Sequence, residues 1–68
     1  MPKVIVFPPD EEGGRAVRAG GVRLGRAFSL RDVAGFLQTA GLPEVDDLDV
    51  AGAEWIEWRG GGPDVWEH

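Results

Sequence analysis

Cysteine is absent from all 68 residues, which excludes a disulfide framework, a zinc–thiolate cluster and a thiol nucleophile. Tyrosine and asparagine are absent as well, and Ser29, Thr39 and His68 are the only residues of their kinds. A hydroxyl nucleophile would have to be Ser29 or Thr39, with His68 as its base, and the last position of a sequence is a poor place to hold a base rigidly. The expectation is a protein that is not an enzyme. Long apolar runs are missing too. No stretch approaches the roughly 18 residues of a membrane span, and MPKVIVFPPDEE holds only a short apolar run where a secretory leader needs about 7–15. A cytoplasmic location without membrane contact is expected. No Gly-x-Gly-x-x-Gly follows a strand, no Gly-Lys-Ser/Thr occurs, and Glu44, Asp46, Asp47 and Asp49 lack the spacing of a calcium loop. Neither a cofactor nor a metal is expected.

What is present fits one small domain, residues 1–68, whose thin core buries about 60% of the surface that the unfolded chain exposes. Lys3–Phe7 is an apolar, β-branched run closed by Pro8-Pro9, and apolar residues on both faces predict a central strand. Arg15–Ala19 and Val22–Phe28 flank Gly20-Gly21, a pair suited to a two-residue hairpin turn. By the period of two, Val22, Leu24 and Phe28 share one face of the second arm with Arg26. Ser29 stands directly before Leu30-Arg31-Asp32 as an N-cap, and Leu30, Val33, Ala34, Phe36, Leu37 and Ala40 form one apolar arc of a helix. Gly41 and Pro43 end it. Residues 46–53 read as a short helical turn with acidic residues at its start, and 54–59 as a strand with Ile56 and Trp58 on one face. Residues 60–68 read as a Gly/Pro-led C-terminal tail. The fold class expected is α+β, a small antiparallel sheet of three or four strands with one amphipathic helix packed on it.

Two features suggest contact with a partner. Three tryptophans, Trp55, Trp58 and Trp66, fall near one end of the sequence, and tryptophan combines a large apolar area with an N–H donor. Trp58 reads as a core residue, Trp55 and Trp66 as candidate partner-binding residues. Charge is the second feature. The chain carries −5 overall, with six basic and four acidic residues in positions 1–35 and one basic and eight acidic in 36–68. Arg15, Arg18, Arg23 and Arg26 lie on the expected hairpin, where guanidinium groups would meet an anion bidentately. Nucleic acid as that anion is disfavoured by the net charge.

The stretch WIEWRGGGPDVW, with GRAFSLRDVAGFL upstream, resembles small actinobacterial proteins of uncharacterised function, and the resemblance implies no activity, cofactor or binding residue. The function expected from the residues is a non-catalytic binding module that contacts a protein, or a second copy of itself as a homodimer, through the Trp-bearing C-terminal segment. The alternative is recognition of an anionic ligand or nucleic acid by the arginine hairpin.

Overall fold

The computed structural model describes residues 3–41 and 45–66. Its elements are β1 (Val4–Pro9), β2 (Arg15–Ala19), β3 (Val22–Ala27), α1 (Leu30–Thr39), α2 (Asp47–Gly52) and β4 (Ile56–Trp58). The strands form one sheet in the order β3-β2-β1-β4, so the doubly apolar β1 does take a central place.

Gly20 and Gly21 both have positive φ, 58° and 84°, and Ala19 pairs with Val22 across them, which is the two-residue turn whose twist matches the strands it joins. β1 does not stop at its prolines. Beyond Val6 it has no β4 partner, and its register against β2 slips between Val6 and Pro9. Such a slip is where a strand accommodates residues without an N–H. The sheet is mixed rather than wholly antiparallel, because β4 runs parallel to β1. The physical reason is the connection: both helices lie between β3 and β4, and a segment that long can cross back over the sheet and re-enter at the same end.

One face of the sheet is the core. Val4 and Val6 of β1, Val17 of β2, Ala27 of β3 and Ile56 of β4 meet Val33, Ala34 and Leu37 of α1 and Val50 of α2. On β3 the simple alternation fails. Arg18 pairs with Arg23 and Val17 with Gly25, which leaves Leu24 as the extra residue of a bulge. Leu24 packs against the core, while Val22 and Phe28, expected on its face, are 63% and 45% exposed. A bulge shifts the phase of a strand by one residue, and Ala27 closes the core in place of Phe28.

Both helices begin on side-chain caps. Ser29 Oγ accepts from the Asp32 amide at 3.3 Å, and Asp32 Oδ2 accepts from the Phe28 amide at 2.8 Å. At α2, Asp46 and Asp49 exchange side-chain and backbone hydrogen bonds in a full capping box, and the short helical turn expected over 46–53 is a six-residue helix. Ser29→Ala should destabilise the domain by about 0.5–2 kcal/mol. Urea denaturation measures it, and an unmoved midpoint would show that the 3.3 Å cap contributes nothing.

Candidate functional site

Because Val17 and Ala19 point into the core, the period of two sends Arg15 to the same side of β2. Arg15 is fully buried. A guanidinium group has five N–H donors in one plane, and here every one reaches a backbone carbonyl. Nε donates to Phe7 at 2.8 Å; Nη1 donates to Gly62 at 2.8 Å and Val65 at 3.0 Å; Nη2 donates to Arg59 and Gly61, each at 2.8 Å. Four of those carbonyls belong to the segment that follows β4. The segment expected as a tail is therefore wound around Arg15 as a strap, with Gly60 and Gly61 at φ 77° and 135°. A β-carbon on Gly60 would stand 2.5 Å from the side chain of Pro8, so only glycine lets the strap pass that close to β1.

Two indoles complete the enclosure. The Arg15 guanidinium carbon lies 5.3 Å from the ring centre of Trp58 and 5.5 Å from that of Trp66, and the two rings meet edge to face at 6.2 Å. Trp66 Nε1 donates to the Pro63 carbonyl at 2.7 Å. Burial lowers the pKa of Arg15 from the ordinary guanidinium value, yet that value is so high that the group stays charged at neutral pH. Among the described residues its charge is balanced by carbonyl dipoles and ring faces rather than by a carboxylate. With all five donors engaged, Arg15 has none to offer an anion.

The other hairpin arginines occupy the opposite face of the sheet. Arg26 is committed to Asp10 at 2.5 Å, to the Gly13 carbonyl at 2.7 Å and to Glu12 at 3.3 Å. Arg18 and Arg23 are exposed and stand opposite each other on β2 and β3; Arg18 donates once, to the Gly21 carbonyl at 3.1 Å. Of the hydroxyls, Ser29 is spent on its cap, and Thr39 donates to the Gly35 carbonyl at 3.1 Å. His68, Glu44 and Pro43 lie outside the described residues.

The tryptophans separate. Trp55 is half-buried and packs against the core. Trp66 lines a shallow cleft of about 460 Å³ between the start of α1, α2 and the strap. Its walls are apolar, from Leu30, Ala51, Pro63 and Trp66, with Arg31, Asp47 and Asp64 among the remaining lining residues. Leu48, one helical turn before Ala51, is 79% exposed. Sequence reasoning missed the pairing of Trp58 and Trp66 about Arg15. The available signal was phase: Arg15 lies two residues from Val17, and a charged residue on the core side of a strand needs a shell of acceptors.

Ion pairs hold the far side of the sheet. The hydrogen bond from Arg26 keeps the Asp10 carboxyl below its usual pKa. Lys3 first, then Arg59, do the same for Glu57. A carboxylate whose pKa is depressed by folding stabilises the native state above its unfolded value, roughly 4, and that stabilisation disappears as pH falls through the lower folded value. The urea midpoint should therefore hold between about pH 7 and 5 and drop below about pH 4. Asp10→Asn with Glu57→Gln should make the acid limb shallower; an equally steep limb would mean that these pairs are not its source.

Compared with protein-family models, curated proteins and solved structures, the chain matches none.

Proposed function

We propose that this chain is a non-catalytic cytoplasmic binding module that receives an apolar side chain of a protein partner in the cleft beside Trp66. The observation that carries the reading is the cleft itself, a concavity with walls of Leu30, Ala51, Pro63 and Trp66 and the carboxylates of Asp47 and Asp64 around it. A buried apolar contact ringed by polar groups is how interface hot spots are built. The exposed Leu48 extends the apolar area along α2. Two acidic side chains against Arg31 favour a partner that carries Lys or Arg beside its apolar anchor. Trp55, packed on the core away from the cleft, is left out of the contact.

The test is selection of displayed random peptides on the immobilised chain. Peptides with a large apolar residue next to Lys or Arg should be enriched, and Ala51→Arg should abolish their binding, because Ala51 is exposed and its replacement fills the cleft without disturbing the core. Enrichment of no common sequence, or peptides that bind Ala51→Arg equally well, would overturn the reading. Sedimentation equilibrium distinguishes a different protein from a second copy. A mass that rises with concentration and returns to the monomer value in Ala51→Arg would make the partner the chain itself.

A further inference from the structure

The face of the sheet turned away from the helices has an order that the core does not explain. Register places Arg23, Arg18, Ile5 and Glu57 in one row across β3, β2, β1 and β4. In the next row Arg26 stands opposite Ala16, and Arg59 lies over the ring of Phe7 at 5.5 Å. Ile5 and Phe7, both half-buried, thus form an apolar strip along the central strand. Arginines of β2 and β3 flank it on one side, and Lys3 and Arg59 flank it on the other.

Most of these cations are answered. Asp10 and Glu12 hold Arg26, and Glu57 bridges Lys3 and Arg59. Arg18 and Arg23 are different. They face each other directly across the hairpin, and among the described residues neither forms an ion pair with a carboxylate. Like charges directly opposite on neighbouring strands repel, and Asp10, the carboxylate whose pKa Arg23 helps to lower, is itself bound to Arg26.

We infer that this face binds single-stranded nucleic acid, with phosphates on Arg18 and Arg23 and bases laid on Ile5, Phe7 and the Arg59 guanidinium plane. A cation pair alone would accept any anion; the flat apolar strip beside it is the part that matches a base, since bases stack on aromatic rings and on arginine planes whatever their sequence. The net charge of −5 does not forbid this. The molecule measures 17 Å across its thinnest direction, about twice the roughly 8 Å over which charges are felt at physiological ionic strength. Of the two helices only α2 is acidic, through Asp47 and Asp49, and it packs on the opposite face of the sheet. With two arginines outside the ion pairs the salt dependence is modest, a slope of about −1.4 in log K against log salt, or about sevenfold weaker binding from roughly 50 to 200 mM.

Fluorescence anisotropy with a labelled thymidine oligomer of about 12 nucleotides tests it, against an abasic oligomer of equal length and polyglutamate. The intact chain should bind the thymidine oligomer saturably at low salt, weaken about sevenfold over that salt range, and bind the abasic oligomer at least several-fold more weakly. R18Q/R23Q, which alters only exposed side chains, should keep the urea midpoint and lose about tenfold or more in affinity. Phe7→Leu should lose several-fold on the thymidine oligomer and nothing on the abasic one. The inference is overturned by absence of saturable binding at low salt, by equal binding of R18Q/R23Q, or by an abasic oligomer or polyglutamate binding as tightly as thymidine.

Discussion

Replacing Arg15 with Met should lower the unfolding free energy by about 3–5 kcal/mol, the largest effect expected of any single substitution in this chain. The substitution keeps a long side chain against Trp58 and Trp66 but leaves five carbonyls, those of Phe7, Arg59, Gly61, Gly62 and Val65, without their donors. A carbonyl left unpaired away from water costs about 1–3 kcal/mol, and those of the exposed Arg59 and Gly61 regain a partner from solvent. Arg15→Lys tests the geometry as distinct from the charge. An ammonium has three donors on a flexible stem and no planar fork, so it should recover a minority of the loss. Urea denaturation gives the magnitude, and a red shift of tryptophan emission before global unfolding would report Trp66 leaving its place. A midpoint unchanged in Arg15→Met would mean that the strap carbonyls are already served by water.

Leu37→Ala should cost about 2–5 kcal/mol. Leu37 is fully buried in the last turn of α1 and belongs to one core cluster with the valines of β1 and β2. At roughly 0.05–0.15 kcal/mol per residue, a 68-residue domain has about 3–10 kcal/mol in all, so the loss is a large share of the total and the thermal midpoint should fall by about 10 °C or more. Phe36→Ala should cost less than the loss of a fully buried phenyl ring, because Phe36 is half-buried and its ring lies over Gly25 at the edge of the sheet. Circular dichroism of the two variants orders them. A Leu37→Ala protein as stable as Phe36→Ala would place the centre of the core elsewhere.

Local signals carried much of this architecture. The Gly20-Gly21 turn, the Ser29 cap and the apolar arc of α1 depend on residues close together in sequence, and each has the form that its chemistry predicts. What could not be read depends on distant partners. The parallel pairing of β4 follows from where a two-helix connection returns the chain, and nothing within 54–59 encodes a direction. The bulge at Leu24 shifts the phase of β3 by one residue, which alternation alone does not reveal. Arg15 was legible as an arginine on a hairpin, and so as an apparent surface charge; four of its five acceptors lie more than forty residues later in a glycine-rich segment with no side-chain signal. Trp66 was legible as unusual but not as half of an enclosure for a cation, since its other half, Trp58, resembled an ordinary core residue.

The enclosure of Arg15 also sets an order of events during synthesis. β1, β2 and β3 emerge early and can pair as they emerge, but β1 gains its second neighbour only with Ile56–Trp58, and the Arg15 guanidinium gains four of its five acceptors only with residues 59–65. At roughly 5–20 residues per second that wait lasts about 3–10 s. Throughout it the arginine must stay in water, because burying it without acceptors costs several kcal/mol. A hairpin that closed onto α1 before the strap was made would leave the buried guanidinium with the Phe7 carbonyl alone of its five acceptors. The strap is thus the condition on which Arg15 can leave water, set more than forty residues after the arginine itself is made.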